Sequence, residues 1–544
     1  MMAQQRLRRL LEALGKGRAH SPSREGSSSC PGQARRHRSR VILICLALAF
    51  VIDLLTFDLP TLTTFGRTAR QLTVSSASYD PDTGVQTWQV DGIDDSVDDI
   101  MLQVGEQAYG VGIQGVVSPE SLRFTVSVTD EGNVLPVSVG GLTTSRSRPD
   151  GTWSKIATYG RVSSLTITSE PRVVGKADAD TGVLWAFALP EIASVKVCVN
   201  GAIPLDVKMT MLRSLVIFVT LLGCWALRPR SGLYTISFEP SCIVSVRLWI
   251  GLMCALTMVF AIAGLPGGLV TEPPFYDSHH AIASYHEYFE LAQALSKGEV
   301  SLDIEPSKEL LELSNPYDHD VRDARHIDIY WDHALYKGRY YVYFGVLPCL
   351  LFHLPFYLLT GGEFPTWLAV YISLAAAAAG LVYLLNSIVR RWFGPVSAGG
   401  YLVALATLFL GSWTPLLAAS ATTYFLPIAM GLALAVWALG LWVTSTAQGT
   451  ICVRRAALGA FLAALTLLSR PQFVIVALLG AALLVDAIRR DRRNLSPRLG
   501  LVFVPVAVVC LAFFLYNFLR FGNILDVGVN YNLTTNDVTH RGFS

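Results

Sequence analysis

The residues best suited to acid–base chemistry lie in one polar stretch, residues 266–338. It holds more than a dozen Asp and Glu and six of the ten His, in a chain that is 52% hydrophobic and 15% charged. Carboxyl and imidazole groups can take up and release protons near neutral pH. A connector between two membrane spans needs only a few residues, and long loops often carry function. We therefore interpret this stretch as an active-site segment.

Three carboxylates are the candidate catalytic residues. Asp277, in the turn-like sequence PPFYDSHH, is the first choice for the catalytic base, and Glu287 is the second. Glu290 is a further carboxylate that could take this role. Asp332 lies among aromatic residues in IYWDHALYKG and is placed to contact a substrate hydroxyl. The alternatives are a solvated loop for Asp277, a solvated helix face for Glu287 and loop packing for Asp332.

Histidines near Asp277 raise the alternative of a divalent metal ion. His279 and His286 are seven residues apart, and this spacing puts them on one helix face. No strict ligand motif accompanies them, and adjacent loop histidines such as His279 and His280 are usually exposed. The sequence thus assigns no metal ligand, and a divalent metal stays an open alternative.

The elements that must position these residues are membrane helices. The mean hydropathy is +0.44, and several apolar runs of roughly 18 to 23 residues are long enough to cross a bilayer. The net charge is +2, and the charged residues are segregated, with Arg clusters at span ends and carboxylates in two polar regions. Nucleic acid is therefore not an expected partner. Nine scattered Cys without a CxxC pair argue against a disulfide framework and a zinc site.

The predicted fold class is an α-helical polytopic membrane protein with an inserted extracytoplasmic β-sandwich domain. Residues 58–208 alternate β-branched and polar residues with turn signals, as in SLRFTVSVTDEGNVLPVSV, which predicts short strands. Nine spans are predicted, and the organisation reads in order: a disordered basic cytoplasmic tail at 1–40, an anchor at 41–57, the β-rich domain at 58–208, two spans within 209–265, an outside loop at 266–362, six spans within 363–519 and an outside segment at 520–544. The last segment stops without a closing element, the pattern of a fragment of a longer protein.

The distribution of arginines sets the predicted orientation. Arg390, Arg391 and two later Arg clusters should all be cytoplasmic, because short cytoplasmic connectors are enriched in basic residues. They can be so only if the apolar run 341–359, interrupted by Pro348 and Pro355, does not cross. We read that run as a juxtamembrane or re-entrant helix, which leaves the polar loop outside a cell membrane and the N-terminus in the cytoplasm.

Four segments after residue 246 carry a resemblance to a known superfamily: YHEYFELAQALSKGEVSLD, GRYYVYFGVLPCLLFHLPFYLLTGG, LAALTLLSRPQF and YNFLRFGNILDVGVNYNLT. Their order resembles that of GT-C glycosyltransferases, such as lipid A aminoarabinose transferases, protein O-mannosyltransferases and related bacterial membrane enzymes. The resemblance implies a GT-C-like fold and a transferase that moves a sugar from a polyprenyl-phosphate donor to an extracytoplasmic acceptor (envelope glycan, lipid or protein), usually with inversion. It covers the chain from about residue 246 onwards and leaves out the β-rich domain.

The same resemblance implies site residues and also shows departures. A carboxylate should take the proton of the acceptor hydroxyl, and cations should offset the phosphate leaving group. Where relatives carry Asp-Glu, this chain has Ser284 and Tyr285, and where they carry a second Asp it has Thr422, Thr423 and Tyr424. The substrate-binding residues predicted here are Tyr285, His286, Tyr288, Arg339, Arg470 and Arg520.

Arg470 is the first candidate for the lipid phosphate, because a guanidinium is a planar donor suited to phosphate. Arg339 and Arg520 are candidates for the same role, and the alternative is an interfacial Arg that extends to the headgroups. Two other function classes stay open. A transporter or flippase would bury ionisable groups inside spans, and a non-catalytic scaffold would have lost its base.

Overall fold

The computed structural model describes residues 31–81, 84–105, 108, 121–145, 152–170, 172–177, 184–193, 195–264, 275–276, 281–283, 286–447, 451–490, 500–534, 537 and 539. The chain divides into two compact units. The first consists of Met1–Leu59, Asp206–Leu269 and Phe344–Tyr516, and the second of Pro60–Leu205, Val270–Tyr343 and Asn517–Ser544. Each unit therefore combines segments that lie far apart in the sequence.

Six helices in the described part of the chain are long and apolar enough to cross a membrane: Ser39–Thr56, Val207–Ala226, Cys242–Ala261, Thr366–Phe393, Leu426–Ser445 and Val502–Phe521. A helix of about 20 residues spans roughly 30 Å, the thickness of the hydrocarbon core. These helices indicate a multi-pass membrane protein.

The six helices coincide with six of the nine predicted spans. The other three belong to the six spans predicted within 363–519. Apolar runs at 401–417, 456–468 and 473–488 predict them, and they correspond to the shorter helices Ala398–Gly411, Val453–Leu465 and Val476–Arg490. The apolar helix Cys349–Thr360 is also shorter than a span. It starts with a π-helical turn at Cys349–His353, and Pro355 lies in the first turn of the α-helix that follows.

The full set of α-helices in the described residues includes the spans and several shorter helices. The α-helices of the described residues are Pro31–Thr56, Leu59–Thr63, Val207–Ala226, Cys242–Gly264, Glu287–Ser296, Lys308–Leu311, His319–Ala324, Leu354–Thr360, Thr366–Ile388, Ala398–Gly411, Thr414–Ala419, Leu426–Ser445, Val453–Leu465, Val476–Arg490 and Gly500–Phe521.

Small residues allow the two most buried spans, Thr366–Ile388 and Leu426–Ser445, to pack closely. A Cβ on Gly380 would lie 2.6 Å from Val436, and one on Gly440 would lie 2.6 Å from Tyr383. Glycine at such contacts lets helix backbones approach in a bilayer, where van der Waals packing drives association.

An ion cluster joins the helices Pro31–Thr56 and Val207–Ala226. Arg213 contacts Asp53 at 2.8 Å and Asp58 at 2.6 Å, and Asp53 is fully buried. Removing one member of such a cluster would leave a buried charge uncompensated, so the cluster fixes how these two helices pair.

Two antiparallel sheets of the second unit share one hydrophobic core. The four-stranded sheet has the order Arg70–Leu72, Val195–Val199, Asp99–Val104, Thr152–Lys155, and the five-stranded sheet has the order Ser76–Tyr79, Gln86–Asp95, Val162–Ser169, Ser121–Asp130, Val137–Ser145. Leu102 from the first sheet and Trp88, Val126 and Leu165 from the second belong to the same buried cluster. The two sheets thus bury one common core, and their short strands agree with the strands that the alternating sequence predicts.

A third sheet combines the β-rich segment with the polar stretch. Its order is Leu184–Ala188, Val173–Ala177, Phe275–Tyr276, Ala281–Ala283, Ile329–Tyr330. Two-stranded pairs complete the strands: Ser237–Phe238 with Val396–Ser397, and Ala334–Tyr336 with Arg339–Tyr341. The two segments that the sequence treats as separate regions thus contribute strands to one sheet.

Candidate functional site

The candidate site forms around the helix Glu287–Ser296 in the second unit. Glu287 and Glu290 lie in its first turn, where negative charge is stabilised by the helix dipole. The helix buries Glu287 together with Tyr288 and Leu291. Glu287 is only 1% exposed, so it does not lie on the solvated helix face that was the alternative reading.

His333 forms an ion pair with Glu290. Its Nε2 lies 3.0 Å from the Glu290 carboxylate, and its Nδ1 lies 2.9 Å from the carbonyl oxygen of Trp331. Both partners are hydrogen-bond acceptors, so both ring nitrogens must carry a proton. Burial by itself lowers the pKa of His333, but the hydrogen bond and the negative charge of Glu290 outweigh it and raise the pKa to about 9.

The Glu287 carboxyl is buried and, unlike that of Glu290, forms no ion pair with His333. Burial raises the pKa of its carboxyl group from 4.5 to about 8, against a lowering effect of His333 and with a further increase from Glu290. Its Oε2 is buried and has no hydrogen-bond partner in the described part of the chain. Two carboxyls three residues apart therefore have different environments: the Glu287 carboxyl is mostly neutral at pH 7, whereas the Glu290 carboxylate pairs with His333.

Asp332 belongs to the same cluster, because its charge also raises the pKa of Glu287. The Tyr343 hydroxyl donates to Asp332 Oδ2 at 3.3 Å, and Asn532 Nδ2 donates to Oδ1 at 2.8 Å. The backbone of Asp332 is left-handed, with φ of 58°. This conformation is uncommon for a residue other than glycine and often marks a functional position.

Aromatic rings surround the histidine. The ring centroids of Tyr330 and Tyr340 lie 5.6 Å and 6.1 Å from that of His333, in edge-to-face arrangements. Burial raises the pKa of Tyr330 to about 12, so the phenol stays neutral at physiological pH. The rings cover His333, which is fully buried, while Glu290 keeps 16% of its side chain exposed.

The three predicted arginines have different surroundings. Arg339 is exposed, and its Nη1 donates to Ser301 Oγ at 3.4 Å. Arg520 is buried and donates to the carbonyl oxygen of Val342 at 2.7 Å. Arg470 belongs to the first unit.

The other predicted residues lie near the start of the helix Glu287–Ser296 or outside the described residues. His286 is the N-cap residue of the helix, and Tyr288 is buried. Asp277, His279, His280 and Tyr285 lie outside the described residues.

Sequence reasoning missed His333 and Asn532. His333 follows Asp332 directly, and a histidine next to a candidate catalytic carboxylate is a signal that was available. Asn532 lies 200 residues from the aspartate that it contacts, and no local pattern indicates it.

No group of three or more His, Cys, Asp or Glu side chains that could hold a metal ion occurs within the described ranges. Within the cluster around Glu287, both nitrogens of His333 are engaged, with Glu290 and with the carbonyl oxygen of Trp331. What the arrangement can do is hold and transfer protons. The neutral Glu287 can release a proton, its ionised form can take one up, and the Glu290–His333 pair sets the local charge.

No protein-family model, curated protein or solved structure matches this chain.

Proposed function

We propose that this protein is a membrane glycosyltransferase that moves a sugar from a polyprenyl-phosphate donor to a hydroxyl of an extracytoplasmic acceptor. The observation that carries the proposal is the unequal pair of carboxyls: Glu287, with a pKa raised to about 8, beside Glu290, which is paired with His333. A general base works best when its pKa is close to the working pH. The membrane helices and the resemblance to GT-C enzymes are the reasons for proposing a lipid-linked donor.

The reaction requires one proton acceptor. The acceptor hydroxyl oxygen attacks the anomeric carbon, and the bond between that carbon and the phosphate oxygen breaks with its electron pair leaving on the phosphate. The hydroxyl proton passes to the ionised carboxylate of Glu287. With a pKa of about 8, about a tenth of Glu287 is ionised at pH 7, and this fraction rises as the pH approaches 8.

The other residues have supporting roles in this proposal. His333 favours the ionised form of Glu290, so a negative charge remains beside Glu287 when the Glu287 carboxyl is neutral. Arg339 is exposed and belongs to the same unit as Glu287, so it is the predicted arginine best suited to meet the phosphate. The polar segment lies outside a cell membrane in this proposal, with the N-terminus in the cytoplasm.

A transfer assay tests the proposal. Purified protein in proteoliposomes is given polyprenyl-phosphate hexoses and pentoses with octyl glycosides as acceptors, and product is measured by mass spectrometry. We expect Glu287→Gln to lower kcat by about 100-fold or more, because general base catalysis contributes that much. The matched control is Glu309→Gln, since Glu309 is an exposed glutamate of the same unit. Wild-type turnover in Glu287→Gln would refute the assigned base.

A further inference from the structure

The C-terminal segment of the described chain pairs with the backbone of the candidate site. The Asp332 N–H donates to the carbonyl oxygen of Leu533 at 3.0 Å, and the Leu533 N–H donates to the carbonyl oxygen of His333 at 3.0 Å. Ala334 and Asn532 form an antiparallel bridge. This pairing holds Asp332 in its left-handed conformation, so the site is complete only with residues beyond the last long helix.

Buried contacts on either side fix the same segment. Arg322 is 2% exposed, and its Nη2 donates to the carbonyl oxygen of Thr534 at 2.7 Å. The Tyr531 ring lies 4.7 Å from that of Tyr336. Asn532 is therefore held from both sides and cannot turn freely.

Only one of the two polar atoms of the Asn532 side chain forms a hydrogen bond within the described residues. Its Nδ2 donates to Asp332 Oδ1 at 2.8 Å, and its Oδ1 is buried with no hydrogen-bond partner among the residues that the structure describes. The orientation of the amide is fixed, because turning it over would place its oxygen against a carboxylate oxygen. A buried acceptor without a donor is destabilising, and a bound donor would recover that loss.

A second buried polar atom also lacks a partner. Glu287 Oε2 also lacks a partner within the described part of the chain, and Asp332 links Glu287 electrostatically to the residue that Asn532 contacts. Two unpaired polar atoms in one cluster favour a ligand with several groups that form hydrogen bonds. Sugar hydroxyls both donate and accept, so they suit the Asn532 acceptor and the Glu287 carboxyl.

We propose that Asn532 binds a hydroxyl of the substrate sugar through Oδ1 while it positions Asp332 through Nδ2. The inference rests on the proposed function of this site and names a substrate contact from the far end of the chain. The sugar that supplies the hydroxyl is either that of the lipid-linked donor or that of the acceptor.

Two variants of the full-length protein separate the two contacts. Asn532→Leu removes both, and we expect KM for either the donor or the acceptor to rise about fivefold, the value of one neutral hydrogen bond, with a fall in kcat. Asn532→Asp keeps an oxygen acceptor but loses the amide donor to Asp332. We expect its KM to stay within about twofold of wild type and its kcat to fall about 10-fold or more. Asn530→Leu and Asn530→Asp are the controls, because Asn530 is an exposed asparagine of the same segment.

Which KM rises tells the source of the hydroxyl, and a purely structural role would change stability without this division between KM and kcat. Unchanged KM for both substrates in a folded Asn532→Leu protein overturns the inference. Unchanged kcat in Asn532→Asp overturns the positioning of Asp332. Melting temperatures identify variants that fail to fold, and the near-isosteric Asn532→Asp then decides alone.

A binding measurement separates this inference from the proposed function. Wild type and Asn532→Leu are titrated with farnesyl phosphate, farnesyl phosphate sugars and octyl glycosides. We expect Kd for a sugar-bearing probe to rise about fivefold in the variant, and Kd for bare farnesyl phosphate to stay unchanged. This result without any transfer activity supports the inference and refutes the transferase, whereas transfer that does not depend on Asn532 refutes only the inference. Failure of the wild type to bind any sugar-bearing probe refutes both.

Discussion

Replacing Glu287 with glutamine should change how the stability of this protein depends on pH. The pKa of Glu287 is about 8 in the folded protein, compared with a reference of 4.5. Between these values the folded state keeps a proton that the unfolded chain has released. Stability from this group is therefore fully present below pH 4.5, falls as the pH rises and has been lost above pH 8.

The magnitude follows from the size of the pKa shift. Each pH unit within the window costs about 1.4 kcal/mol, so the whole shift corresponds to about 5 kcal/mol. The pKa of His333 is also raised, from 6.5 to about 9, and its contribution is lost over that higher range. The range from pH 4.5 to 6.5 therefore isolates Glu287, with an expected loss of about 3 kcal/mol.

Apparent melting temperature in detergent, recorded from pH 4.5 to 9, measures this effect. Glu287→Gln cannot ionise, so wild type should lose several degrees relative to this variant between pH 4.5 and 6.5. Contributions of other groups cancel in the difference, and Glu309→Gln should follow wild type because Glu309 is exposed. Parallel curves for wild type and Glu287→Gln would mean that the carboxyl is ionised in the folded state, and the reasoning about its burial would be wrong.

His333→Gln should lower the free energy of unfolding at pH 6 by about 3 kcal/mol, because it removes the cation that faces Glu290. It should also abolish the part of the loss of stability between pH 6.5 and 9 that His333 contributes, while the part from Glu287 remains. Denaturant or thermal unfolding at several pH values measures this, and an unchanged slope between pH 8 and 9 would contradict it. Gly345→Ala should prevent stable folding, because a Cβ there would lie 2.2 Å from the backbone oxygen of Ser469. Gly411→Ala is the control and should be neutral or slightly stabilising, because a Cβ there would have nothing within 4 Å. The yield of monodisperse protein compares the two variants, and equal yields would show that the backbones at Gly345 and Ser469 can separate.

Local patterns in the sequence predicted the six long apolar helices and the strands of the β-rich segment. Uninterrupted apolar runs predict the long helices such as Thr366–Phe393, because a bilayer accepts only segments whose backbone groups bond internally. Alternation predicts strands such as Gln86–Asp95, whose buried and exposed residues follow the pleat. The predicted lengths were less accurate, since three predicted spans correspond to helices of fewer residues.

The candidate site could be predicted only in part. The concentration of carboxylates indicates the segment that contains Glu287 and Asp332, since charge in an apolar chain is costly without a purpose. The sequence alone did not decide which carboxyl is buried. A glutamate at the start of a polar helix is usually solvated, and Glu287 is buried because other segments pack over it.

The sequence by itself determined the composition, the six long apolar helices, the periodicity of the strands and the location of the acid-rich segment, because these properties depend on neighbouring residues. Tertiary structure alone decided that His333 faces Glu290, that Asn532 contacts Asp332 across 200 residues, and that Phe275–Tyr276 pairs with Val173–Ala177. Burial changes the pKa of a carboxyl, and a hydrogen bond needs its partner within about 3 Å. Both depend on which distant segments the folded chain brings together, and local sequence spacing does not contain that information.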